Sequence, residues 1–198
     1  MSLLLETIKI ENGILRNINY HNTRFNYSRR KLFGITEPVD LSKIIVVPSF
    51  ANNDIYKCRI IYSTLIHKIE FLAYKPKKIK SLEIVVDNTI EYEYKYLDRS
   101  NIESLLSRSK ADDIIIVKNG RVTDASFANL AFFDGTNWLT PAYPLLKGTK
   151  RQLLLDTGQL LEDEIKVSDL KFFKKVSLIN AMLDFDNIEN QIPIEFIS

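Results

Sequence analysis

The sequence predicts an α+β protein in two parts: a small α+β domain over residues 1–92 and a β-barrel-like domain with helices over residues 93–198. Two observations carry this. The first half holds long β-rich runs of period two with helical stretches between them, the pattern of helices laid on a largely antiparallel sheet. The second half changes to short β-rich runs separated by Asn-Gly and Asp-Gly turns, a meander that suggests a second sheet or a barrel. The composition shifts over residues 87–95, which marks the join.

Bulk properties narrow the function classes. The chain has 198 residues, 45% hydrophobic and 26% charged, which suffices for one substantial core or two small ones. Its 27 basic and 25 acidic residues give a net charge of +2, too balanced to argue for nucleic acid or an anionic membrane. A single cysteine, Cys58, excludes an internal disulfide, and two histidines cannot form a His/Cys zinc site of the usual spacing. No apolar run approaches the ~20 residues a bilayer span needs. The start "MSLLLETIKI" is too short and too soon acidic for a signal peptide, so the cytoplasm is the expected location. Six glycines and six prolines leave no room for a long flexible linker.

Taken in order, "LLLETIKI" and "ILRNINY" read as a hairpin turning at Asn12-Gly13. "HNTRFNYSRRKLFG" places Phe25, Tyr27 or Ser28, Leu32 and Phe33 at helical spacing, with Gly34 as the stop. "VDLSKIIVVPS" predicts a second helix ending near Pro48. Runs Ile55–Thr64 and His67–Tyr74 are expected to pair, and "SLEIVVDN" is a further strand. Arg59 lies mid-strand, where an arginine is either ion-paired or functional; the pair is the preferred reading. Glu91, Glu93 and Lys95 alternate with Tyr92, Tyr94 and Tyr96, which predicts a strand ending at Lys95. "NIESLLSRSK" is helical.

In the second half, "DDIIIVKNGRVTDASFANLAFFDGTNWLTPA" gives short strands turning at Asn119-Gly120 and Asp134-Gly135, broken by the polar loop "TDASFAN". A helix starts near Lys150 and stops at Gly158. "VSDLKFFKK" predicts a short helix capped by Ser168, and "VSLINAMLDF" a buried strand.

Four patches could carry chemistry. Lys95 is either a solvated surface lysine or a nucleophile; the second requires burial or a nearby cation to push its ammonium down from ~10.4. In "KGTKR", Gly148 permits close backbone approach, and the first-turn N–H groups of Thr149 and Lys150 would point at an anion; the plainer reading is a routine helix entry. In "HNTRF", His21 and Arg24 lie one helical turn apart, and the arginine could clamp a phosphate or lie in water. In "GRVTDASFANLAFF", Asp124 and Asn129 flank the small residues Ala125, Ser126 and Ala128. Such a loop is a tight turn, or a floor for a flat ligand with Asp124 as partner to a ring nitrogen.

Together and in this order, the patches resemble the class IV aminotransferase family, the fold-type IV pyridoxal-phosphate enzymes, which include branched-chain and D-amino acid aminotransferases and aminodeoxychorismate lyase. Their signature is an H-x-x-R helix start, a lysine at a strand end, a T-E-x-x-x-x-N loop and a G-[IVT]-x-R helix start. Here these read His21 to Arg24, Lys95, Thr123 to Asn129, and Gly148 to Arg151, and the resemblance runs from about residue 3 to about residue 183.

The resemblance implies that pyridoxal 5′-phosphate is the cofactor and Lys95 the Schiff-base lysine and catalytic base. It implies that Arg24 and the amides of Thr149 and Lys150 hold the phosphate, and that Asp124 pairs with the ring nitrogen. Ser126 and Asn129 would line the site, and Asn180 matches a late segment near the phosphate. It further implies a homodimer with active sites at the subunit interface and a small amino-acid-like substrate. Small members with compact loops resemble the lyase more often, so pyruvate elimination giving 4-aminobenzoate for folate is the expectation. Transamination of a branched-chain or D-amino acid is the alternative, and a non-catalytic cofactor-binding relic a third. Three departures bear on substrate class: Asp124 stands where glutamate is usual, Phe127 replaces a small polar residue, and the chain begins at what resembles the family's second strand.

Overall fold

The computed structural model describes residues 2–185 and 187–198. They form two compact units, one of residues up to Pro76 with Tyr94–Asp98, the other of Lys77–Glu93 with Arg99–Ser198.

The first unit contains β1 (Leu4–Glu11), β2 (Ile14–Leu15), α1 (Ile18–Phe33), α2 (Leu41–Ile44), β3 (Ile55–Tyr62) and β4 (Ile66–Ala73). Its strands form an antiparallel sheet in the order β2-β1-β3-β4. Asn12 and Gly13 both take positive φ, 52° and 74°, the two left-handed positions of the turn that suits a right-twisted hairpin. Leu4, Ile8 and Ile10 on one face of β1 are fully buried against Phe25 of α1 and Cys58, Ile60 and Tyr62 of β3. Each such aliphatic side chain contributes about 1.5–3 kcal/mol. The Gly34 N–H closes α1 onto the carbonyls of Arg29 and Arg30. Arg59 of β3 faces Glu70 of β4 across the ladder, at 3.2 Å, and is the ion pair expected of it.

Two expectations for this region need correction. The second helix is only Leu41–Ile44, capped by the Asp40 carboxylate on the Ser42 N–H; Ile45 is already extended (φ −80°, ψ 110°). The β-branched run Ile44-Ile45-Val46-Val47 favours that outcome. The alternation over 91–96 is also not a strand. Only an isolated bridge from Leu4 to Tyr96 forms, because the tyrosines are anchors of different units: Tyr92 is buried within the second, and Tyr94 and Tyr96 pack on the core of the first.

The second unit contains β5 (Leu82–Val86), α3 (Ser100–Ser107), β6 (Asp113–Lys118), β7 (Arg121–Ala125), β8 (Asn129–Phe133), β9 (Trp138–Pro141), α4 (Thr149–Asp156), β10 (Leu161–Asp163), β11 (Lys175–Ile179) and β12 (Gln191–Pro193). The path β10-β9-β8-β7-β6-β5 is an open sheet, branched where β8 also pairs with β11, which carries β12; it does not close into a barrel. Both parallel pairs, β5 with β6 and β9 with β10, are joined through a helix, as parallel strands require. β6 and β8 are buried on both faces. One face packs Ile115, Val117, Leu130 and Phe132 with Val176 and Leu178; the other packs Ala131 with Leu154 of α4 and Ile179. The turn after Lys166 is a short 3-10 helix, Val167–Phe172, and its cap is the Asp169 carboxylate on the Lys166 N–H at 2.9 Å rather than Ser168. The buried strand in "VSLINAMLDF" ends at Ile179. Among the described residues no helix is long and apolar enough to cross a membrane.

Candidate active site

Lys95 is held by its backbone. Its carbonyl accepts the Leu5 N–H at 2.9 Å, and the Leu97 N–H reaches the Leu3 carbonyl at 2.9 Å, along the edge of β1 opposite β3. Tyr94 and Tyr96 flank it at an edge-on angle of 71°, and Tyr94 lies nearly parallel to Tyr27 of α1. Lys95 itself is half-buried.

The same unit places His21 and Arg24 beside it, through a residue that the motif reading passed over. Glu6 sits on β1 among Leu4, Ile8 and Ile10, fully buried. Its Oε1 accepts Arg24 Nε at 2.8 Å, and its Oε2 accepts Arg24 Nη2 at 2.7 Å and meets His21 Nδ1 at 2.6 Å. Burial alone would raise the Glu6 carboxyl. The Arg24 charge, with the Arg24 and His21 hydrogen bonds, outweighs it and holds the group at about 2. An ionised Glu6 requires the proton on His21 Nδ1, which donates to it. Burial pushes His21 below its usual value, and the Arg24 and Lys95 charges act in the same direction against the raising influence of Glu6. The imidazole is therefore neutral at pH 7. The signal for Glu6 was present in the sequence: period two puts its carboxylate on the inward face with three aliphatic residues.

In the second unit, the loop "TDASFAN" is a tight hairpin turn. Asp124 and Asn129 face each other as the single ladder pair of β7 and β8, and the Ala125 N–H bonds the Ala128 carbonyl. The Asp124 carboxylate is buried at 5% exposure. Its Oδ1 accepts Asn129 Nδ2 at 2.6 Å and its Oδ2 accepts the Leu146 N–H at 2.9 Å. Among the described residues no cation forms an ion pair with it. Burial pushes its carboxyl up to about 6, against these hydrogen bonds and the more distant Arg151 charge.

Asn129 also donates to the Leu146 carbonyl at 2.7 Å, and its Oδ1 lies against Gly148, where a Cβ would collide with it. Gly148 has an ordinary φ of −69°, so the glycine answers to this close approach, and the turn is thereby laced to the start of α4. There Thr149 is buried, and Arg151, at 2% exposure, fastens the first turn by donating to the Pro141 carbonyl and Glu162. First-turn amides of such a helix, those of Thr149 and Lys150 included, point outward along its axis.

The remaining candidates shape the loop. Ser126 lies beside the buried Asp113, and its carbonyl accepts from Arg99. Asn180 Oδ1 accepts the Met182 and Leu183 N–H groups, and its Nδ2 lies 3.5 Å from the Phe127 carbonyl. The structure thus groups His21, Arg24 and Lys95 with Glu6, and separately groups Asp124, Asn129 and the α4 start. No group of three or more His, Cys, Asp or Glu among the described residues could hold a metal ion.

Known proteins resemble this chain in sequence and in fold. The family model described as Amino-transferase class IV matches residues 3–188. An uncharacterized protein of Haemophilus influenzae is 40% identical over 182 residues, 90% of this chain and 97% of that protein. A crystal structure from Haemophilus somnus 129PT, assigned provisionally as a 4-amino-4-deoxychorismate lyase, is 35% identical with a TM-score of 0.85, covering 92% of this chain and 97% of that one. A hypothetical aminotransferase of Mycobacterium tuberculosis in its PLP-bound form has a TM-score of 0.75 over 100% of this chain and 81% of that one; at 19% identity that likeness concerns the fold.

Proposed function

The chain belongs to the class IV aminotransferase family, and from that premise we propose that it is a pyridoxal-phosphate enzyme that eliminates pyruvate from an aminodeoxychorismate-like substrate. One observation carries the cofactor assignment: Asp124, a buried carboxylate raised to about 6 and laced through Asn129 and Gly148 to a helix start. A desolvated carboxylate of this kind suits a ring cation, and first-turn amides suit a phosphate. The donor set therefore fits pyridoxal phosphate.

When bound, the cofactor supplies an electron sink for a substrate carbon that loses its proton. The chain's own residues do the rest. Lys95 Nζ would be the point of attachment for the cofactor and the base for the substrate α-proton. Arg24 and the amides of Thr149 and Lys150 would hold the phosphate. Asp124 would accept a hydrogen bond from a protonated ring nitrogen, worth roughly 1.5–3 kcal/mol. Asn129 keeps that carboxylate turned to its task, while Ser126 and Asn180 set the loop around it.

The provisional assignment of the Haemophilus somnus protein supports elimination over transfer, because the likeness spans nearly all of both chains. The same reading makes the protein a cytoplasmic homodimer serving 4-aminobenzoate and hence folate synthesis. Exposed Val46, Phe50 and Leu65 on the first unit suit a partner surface. Supplying aminodeoxychorismate and measuring pyruvate and 4-aminobenzoate tests the reading. Keto-acid-dependent amino transfer from a branched-chain or D-amino acid, without pyruvate release, would replace it with the transaminase.

A further inference from the structure

Three donors converge on Glu6, and their geometry exceeds what fastening a helix to a strand demands. Arg24 Nε and Nη2 approach separate carboxylate oxygens at 2.8 and 2.7 Å, the parallel two-bond arrangement that fixes the plane of a guanidinium as well as its place. His21 Nδ1 shares Oε2 at 2.6 Å. The carboxylate sits at 0% exposure between Leu4 and Ile8 on β1, where an apolar side chain would serve stability as well or better. Glu6 covers the Nε/Nη2 edge of the guanidinium and does not itself cover the Nη1/Nη2 edge. The Arg24 side chain retains 13% exposure while its partner retains none.

We propose that Glu6 is the positioning residue of the phosphate site: it locks the Arg24 guanidinium by one edge so that the Nη1/Nη2 edge meets the cofactor phosphate ready-oriented. The inference rests on the reading that Arg24 binds that phosphate. A guanidinium held beforehand loses less rotamer freedom on binding, which appears as affinity. The cost is charge. Glu6 offsets part of the Arg24 attraction for the phosphate, so orientation and Coulomb attraction oppose each other and the experiment reads which prevails. Glutamine at position 6 offers one acceptor oxygen to three donors, and its amide N–H groups would face Arg24 or His21 donor to donor.

The test is the ratio of affinities for pyridoxal phosphate and for pyridoxal, which differ only in the phosphate, titrated into the cofactor-free full chain and followed by Trp138 fluorescence. A merely structural role for Glu6 would weaken both ligands alike and leave the ratio unmoved. Arg24→Gln is expected to collapse the wild-type preference for the phosphorylated ligand. Glu6→Gln is expected to lower the ratio about tenfold, the equivalent of one charge-assisted hydrogen bond. In the Arg24→Gln background, Glu6→Gln is expected to lower it no further. Arg24→Lys keeps the charge and lacks the planar fork, so it should lose preference as Glu6→Gln does, and it carries the test if Glu6→Gln fails to fold. A wild-type ratio in Arg24→Gln would overturn the phosphate reading itself. A collapsed ratio in Arg24→Gln beside wild-type or higher ratios in Glu6→Gln and Arg24→Lys would overturn the positioning role alone.

Discussion

Asp124→Asn should change how the stability of the cofactor-free protein depends on pH. The Asp124 carboxyl is pushed from 3.8 to about 6, chiefly by burial. A carboxyl that holds its proton more tightly in the folded state favours folding only while it is protonated. Below the unfolded value both states carry the proton, and that contribution is fully present. Between 3.8 and about 6 the unfolded chain releases its proton first, so folding loses ground as pH rises. Above that window the folded protein holds a buried charge, and a shift of about two units corresponds to a penalty of about 3 kcal/mol. Asparagine does not titrate. Its loss of the Leu146 N–H partner is a fixed cost that does not vary with pH. The stability of the variant minus that of the wild type should therefore climb by about 3 kcal/mol from about pH 4 to about pH 7. Urea unfolding followed by Trp138 fluorescence at a series of pH values measures this difference. Parallel curves, or a difference that falls with pH, would refute the claim that Asp124 is a desolvated carboxylate awaiting a cation.

Other perturbations give sharper contrasts between site and scaffold. Gly148→Ala drives a Cβ onto Asn129 Oδ1, so the Asn129 amide must turn away from Asp124 and Leu146; thermal unfolding should show a loss of roughly 1–3 kcal/mol, and cofactor binding should weaken with it. Arg59→Ala removes a partly exposed cross-strand pair with Glu70; urea unfolding should register less than about 1 kcal/mol and turnover should hold. Light scattering at micromolar concentration should return about twice the 22.9 kDa chain mass, and a fully active monomer would remove the dimer from the account.

Local turn chemistry was the most legible part of the fold. Asn12-Gly13 and Asn119-Gly120 both adopt the positive φ pair that their sequence invites. Gly34 ends α1, and the two β-rich runs of residues 55–74 pair as strands. Alternation alone misled over 91–96, because aromatic anchoring in two different units imitates a pleat without any partner strand to complete it. The helix beyond Ile44 failed for the opposite reason, a β-branched run overriding a helix-like start. Sheet closure could not be read from strand count, since the branching of β8 to β7, β9 and β11 depends on long-range pairing. At the candidate site, the order of the four motifs pointed to Lys95, Asp124, Asn129 and the α4 start. Glu6 lay outside every motif, and only its inward register on β1 betrays it. Arg151 was legible as part of "KGTKR", but its burial between Pro141 and Glu162 is a tertiary fact.

If Lys95 is the residue to which the cofactor attaches, borohydride treatment of the cofactor-loaded protein followed by peptide mapping should place the reduced cofactor on the peptide containing Lys95. Lys95→Ala, with circular dichroism unchanged, should lose the label and should lose turnover by orders of magnitude. Label on another lysine, or full turnover in Lys95→Ala, would contradict that attachment.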